Sequence, residues 1–234
     1  MSKRDYSKIF KKNYLTSVAF EMRFVPLFII KQHVIDFQRQ IREEFPFSPR
    51  EPFLPSFEPE KWIFNSKEGK NQIKLTDERF GFNTKEYNSF EPFFENIKKK
   101  KDLFLKIVKE DIENVSRIGI RYINEIPLEG ENPIDEILEW FEPKIDKNNL
   151  NNNTVINFFT EIRSEYNRNG LTCSNQFYQR KTDNSYWYVI DIDSYTEKTI
   201  KKENIENLIK ELHSIAIKEF HENVTDQFLK TLDM

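Results

Sequence analysis

The sequence predicts an α+β fold, antiparallel sheet with helices packed on one face, and three observations predict it. Apolar residues alternate at period two in several short runs and recur every three or four positions in the segments between them. Turn-forming clusters such as Ser66-Lys-Glu-Gly-Lys-Asn71 join neighbouring strand-like runs, as antiparallel hairpins require. Of 234 residues, 22 are Phe, 9 Tyr and 3 Trp, which furnishes a core in spite of a charged fraction of 32%.

Leu15 to Phe24 opens the pattern as a strand, with Val18, Phe20, Met22 and Phe24 on one side and Ala19, Glu21 and Arg23 on the other. Pro26 breaks it, and Ile30, Val34, Phe37, Ile41 and Phe45 then place an amphipathic helix over about 28 to 45. Pro46 to Pro59 carries five prolines, each fixing φ and removing an N–H, so an extended surface loop is expected there. Lys61 to Asn65 and Gln72 to Thr76 make a hairpin that continues through Phe80 and Phe82. Ser89, with Pro92 in the first turn, opens a helix running to about Asn114, its apolar side holding Phe90, Phe94, Ile97, Phe104, Val108 and Ile112. Ser116 to Asn124 is the next strand, and Pro133 to Phe141 a short helix.

The Asn-rich run from Asp146 to Asn153 reads as a solvated loop. Three strands follow, Thr154 to Tyr166, Leu171 to Arg180 and Tyr186 to Tyr195, turning at Asn169-Gly170 and at Thr182-Asp-Asn-Ser185. A long helix over about 202 to 221 and a last helical piece from Thr225 to Leu232 close the chain. Residues 1–130 therefore have the element order of a ferredoxin-like βαββαβ half, and residues 131–234 hold a helix, a three-strand meander and a C-terminal helix, the two forming one compact unit. The second half partly echoes the first, without a sequence repeat that would assert duplication.

Thirty-six Lys and Arg against 39 Asp and Glu leave a formal net charge of -3, which argues against a protein that coats nucleic acid non-specifically. Cys173 is alone, so no internal disulfide is expected, and its environment reads as that of a small apolar residue on a strand. The charged start Met1-Ser-Lys-Arg-Asp5 is not followed by a short apolar run, which gives a cytoplasmic expectation. The longest apolar stretch, Phe24 to Ile30, is far shorter than the roughly 20 residues that span a bilayer, so no membrane contact is expected. With only 5 Gly, the chain shows no phosphate loop, dinucleotide turn or nucleophile elbow. No catalytic residue, metal ligand or cofactor is assigned, and His33, His213 and His221 read as solvated helix histidines.

Two groups of residues stand out. Asp191 and Asp193 share one strand face, as do Arg117 and Arg121, and with Asn124 they define a candidate polar site. Two readings of it stand: carboxylates that hold a divalent ion or shift one another's pKa, or arginine–carboxylate pairs that fix strand register. The basic run Lys98, Lys99, Lys100 and Lys101 is the second group; on a helix it spreads through most of a turn and reads first as a solvated face, then as a contact for phosphates. Lys11 and Lys12 belong to an N-terminal arm that interleaves charge with Tyr6, Phe10 and Tyr14. Tyr122, Trp187 and Tyr195 are the strand aromatics on which bases would stack.

The phrases Phe20-Glu-Met-Arg-Phe24, Phe37-Gln-Arg-Gln-Ile-Arg-Glu-Glu-Phe-Pro46, Tyr87-Asn-Ser-Phe90, Arg117-Ile-Gly-Ile-Arg-Tyr-Ile-Asn124 and Asp191-Ile-Asp193 occur in order, followed by Leu212-His213 and Val224-Thr-Asp226. In that order the chain resembles a sporadically distributed family of uncharacterised prokaryotic proteins of about this length. The resemblance implies no activity. A patchy distribution points to mobile modules such as phage defence, CRISPR accessories or toxin–antitoxin pairs. The leading expectation is a non-catalytic, homodimeric interaction subunit that assists or inhibits a larger effector such as a nuclease, with Phe47, Phe53, Leu54 and Phe57 of the proline-rich loop available as anchors. The alternatives are a nucleic-acid-binding or RNA-processing protein that uses the sheet face and the basic helix, and a metal-dependent hydrolase at Asp191 and Asp193.

Overall fold

A computed structural model describes residue 6 and residues 10–48, 60–109, 111–143, 157–166 and 168–233. Among these, nine strands and five helices form a mixed fold with a mostly antiparallel sheet. The elements run β1 (Leu15–Phe24), α1 (Ile30–Ile41), β2 (Trp62–Asn65), β3 (Asn71–Leu75), β4 (Arg79–Thr84), α2 (Phe90–Val108) and β5 (Asn114–Leu128). Then come α3 (Pro133–Trp140), β6 (Phe158–Tyr166), β7 (Asn169–Gln179), β8 (Tyr186–Thr196), β9 (Ile200–Lys201), α4 (Ile205–Asn223) and α5 (Asp226–Thr231). The sheet order is β2-β3-β4-β1-β5-β8-β7-β6, with β9 on β5.

This order differs from the four-strand ferredoxin-like expectation for the first half. The segment around Phe80 and Phe82 is not a continuation of the hairpin but a strand of its own, and β4 lies between β3 and β1. Its period-two pattern, Phe80, Phe82 and Thr84 buried and Arg79, Gly81 and Asn83 half-exposed, is the pattern of a sheet interior with one open face. The topology also shows what the sequence alone did not assert. Strand, helix and three strands occur twice, β1-α1-β2-β3-β4 followed by α2 and β5-α3-β6-β7-β8 followed by the two-residue β9 and α4, and in each the third returning strand lies beside the first.

Local chemistry explains the ends of the elements. The Asn132 side chain accepts from the N–H of Ile134 at the start of α3, with Pro133 at the first helical position, and Thr225 caps α5 by accepting from Phe228. Helix α2 stops at Val108, short of the expected Asn114, because Lys109 turns to φ 43 with its N–H on the Leu105 carbonyl and Asn114 already pairs with Lys201 of β9. The β6–β7 hairpin closes between the paired residues Tyr166 and Asn169, with Arg168 at φ 67, so Asn169-Gly170 belongs to β7 and not to the turn. Most of the proline-rich loop, with Phe53, Leu54 and Phe57, and the Asn-rich run lie outside the described residues. Phe47 is described, more than half exposed, and bridges Asn65.

The chain divides into two compact units, each drawn from separate stretches: one from Ser17–Ile120 and Tyr195–Leu212, the other from Met1–Thr16, Arg121–Ser194 and His213–Met234. The first has a phenylalanine core in which Phe37 meets Phe64, Phe80 and Phe104 edge-on. In the second, Phe141 stacks on Tyr188 with ring centroids 4.0 Å apart and packs on Phe228. Burial pushes the Tyr188 phenol above its ordinary range, and its O–H donates to the buried Asn175. Asn175 in turn donates to Asn223, whose amide reaches Glu219, so these buried polar groups satisfy one another.

Candidate functional site

Side chains on the sheet alternate between the buried side and a polar side. In the first unit the polar side of β1, β4 and β5 converges on Glu21. Its carboxylate accepts from Arg23 Nε at 2.7 Å and Arg117 Nη1 at 2.7 Å, and lies 3.1 Å from Arg79 Nη1. Arg117 is 11% exposed, sits 3.5 Å from Glu197 and lies over the Tyr195 ring at 4.7 Å. Gly119 makes room for it: a Cβ there would stand 2.7 Å from Arg117 Nη1. Glu21 faces Gly81 across the β1–β4 pair, and Arg23 faces Arg79.

In the second unit, Arg121 grips Asp191 with two nitrogens, Nε donating to Oδ1 at 2.8 Å. This contact holds the guanidinium above its ordinary pKa against the opposing pull of burial, and Asp193 reinforces it. Asn124 does not join them. It lies on the buried side of β5 and donates to the Ile190 carbonyl at 3.4 Å. Of the five residues of the expected polar site, the structure thus brings Arg121, Asp191 and Asp193 together electrostatically, while Arg117 engages Glu21 and Glu197 in the first unit.

The lysine run is not the solvated face its composition predicts. Lys100 and Lys101 are buried, at 2% and 3% exposure. Lys100 donates to Glu44 at 2.7 Å and lies over Phe45, and Lys101 pairs with Asp102 beside Glu206. Lys98 bonds Glu206, which raises its pKa, and of the four only Lys99 is exposed. The outer surface of α2 there is an open depression lined by Pro92, Glu95, Asn96, Lys98, Lys99 and Asp102. The signal was in the sequence. Lysines 100 and 101 stand three and four residues after Ile97 and before Phe104, on the apolar stripe itself.

Lys12 lies over the Tyr14 ring at 4.9 Å and Lys11 is exposed. The histidines are also not plain solvated groups: His33 meets Asp111 at 2.7 Å, His213 meets the Tyr122 hydroxyl at 2.8 Å, and His221 is buried against Tyr6 and Phe10. Tyr122 is buried and unavailable for stacking, whereas Trp187 is half-buried with the Arg180 guanidinium 4.0 Å from its ring. Among the described residues, no three His, Cys, Asp or Glu side chains gather as a metal-ligand group. No helix among them is long and apolar enough to cross a membrane.

A scan against protein-family models and a search of curated proteins return no match for the chain. Sequence reasoning passed over Glu21, Arg23 and Arg79 as site residues. Their signal was the strict alternation of β1 and β4, which sends all three to the side that Arg117 also takes.

Proposed function

We propose that the chain is a non-catalytic protein-interaction subunit, cytoplasmic and homodimeric, that assists or inhibits a larger effector in a mobile defence or toxin–antitoxin module. The observation that carries this reading is the pairing of its cations. On the polar sheet side and on α2, arginines and lysines already meet carboxylates of the same chain: Arg117 at Glu21, Arg121 at Asp191, Arg163 at Glu161, Lys98 at Glu206 and Lys100 at Glu44. Phosphate backbones are held by cations that shed mobile counterions, and cations fixed to internal carboxylates supply little of that free energy. A mixed-sign surface with aromatics suits a protein. Val25, Phe28, Ile29 and Ile35, before and within α1, are exposed apolar side chains that a protein partner could cover.

The ferredoxin-like reading of the first half is part of the same proposal. The order β3-β4-β1-β5, with α1 and α2 in the connections, supports a split βαββαβ core to which β2 adds an outer strand. Crosslinking and affinity purification of the full chain from its source cell test the function. A stoichiometric protein partner is expected, together with no RNA or DNA affinity at physiological salt. A monomer without a partner, or nucleic-acid binding that falls steeply with salt and is lost when Lys98 and Lys99 are changed to Glu, would overturn it.

A further inference from the structure

We infer that Arg23 and Arg79 form a clamp for a carboxylate side chain of a partner protein, an acidic segment that docks on the polar sheet side of the first unit. The inference rests on the interaction-subunit reading and adds the chemistry of the contact. Arg23 and Arg79 stand directly opposite one another on the antiparallel strands β1 and β4. Like charges in that position destabilise a sheet, so the pair is a local cost that the fold does not need for register. Glu21 partly offsets it, taking Arg23 Nε and Arg79 Nη1.

Donors exceed acceptors at this point. Each guanidinium presents five N–H groups in a planar fork matched to carboxylate geometry. Arg79 Nε is buried with no hydrogen-bond partner among the described residues, and its Nη2 forms an ion pair with Glu78 at 3.8 Å without reaching hydrogen-bond distance. Both arginine side chains are more than a third exposed, so their outer nitrogens are reachable. Lys74, exposed and paired with Gly81 in the β3–β4 register, adds positive charge beside them. Glu21 shows that the spacing already fits a carboxylate, and Gly81 leaves the floor beside it without a side chain. The geometry therefore selects a second carboxylate alongside Glu21, delivered by an Asp or Glu of the partner.

Fluorescence anisotropy of a labelled hexaglutamate peptide against the full-length chain at low salt tests the clamp. Saturable binding is expected. Arg79→Gln or Arg23→Gln, each verified as folded by circular dichroism, weakens it about tenfold, the loss of one charge-assisted contact. Glu21→Gln removes the internal competitor and tightens it, and Lys99→Glu on α2 leaves it unchanged. Equal binding by the Arg79→Gln and Arg23→Gln chains, weakening by Glu21→Gln, or a loss with Lys99→Glu as large as with the arginine variants overturns the clamp. The titration needs no host protein. A failed titration removes the clamp and leaves partner purification standing, and a failed purification removes the broader reading without touching the peptide result.

Discussion

Gly119 shows how a single missing side chain shapes this surface. The Arg117 guanidinium lies where a Cβ of residue 119 would be, so Gly119→Ala pushes the flexible end of the arginine away from Glu21 and leaves the strand in place. A loss of about 1 kcal/mol in urea denaturation is expected, and it shrinks when Glu21 is already Gln. Glu136 gives a second residue-scale test. Burial raises its pKa while the Gly130 N–H, at 2.8 Å, pulls the other way. A folded pKa above the unfolded one means the native state holds the proton more tightly, so stability falls as pH rises through the titration. Compared with Glu136→Gln, the wild-type urea midpoint is therefore expected to lose ground as pH rises upward from the ordinary glutamate range.

Helix α2 and the strands around it show which parts of the fold were readable. The apolar stripe through Phe94, Ile97, Phe104 and Val108 is visible at helical spacing, and these residues are buried as that spacing requires. Phe37, fully buried and meeting three rings, is equally legible, and Phe37→Ala is expected to cost about 3–5 kcal/mol in chemical denaturation. What charge alone hid is that Lys100 and Lys101 occupy the same stripe. Their long stems are packed while their ammonium groups reach carboxylates at the rim. Asp102 and Glu206 keep contact with water, so Lys101→Met strands no buried charge. It is expected to be neutral or to stabilise by up to about 1 kcal/mol. The polar site was half legible for a similar reason: period two places Arg117 and Arg121 on one face, but only the strand order, with β1 and β4 side by side, reveals that Glu21 is the carboxylate at the centre. Asn124 was grouped with them by proximity in sequence, although its parity sends it to the buried side.

For the whole molecule, the recurrence of strand, helix and three strands was legible in the sequence only as a partial echo, because the strands of the two halves share an alternating pattern and not residues. The units also draw on distant stretches. The first includes Ile200, Ile205, Leu208, Ile209 and Leu212, all buried. A fragment ending at residue 130 lacks them, and circular dichroism is expected to show a loss of cooperative thermal unfolding relative to the full chain. The outermost strands have a consequence of a different kind. β2 is only four residues long with Phe47 bridged to it, and β6 carries Glu161, Arg163 and Glu165 in alternation. Such margins resist lateral growth by a further strand, whether from another copy or from a misfolded neighbour. Any further strand would therefore meet a short or charged margin and not an open edge.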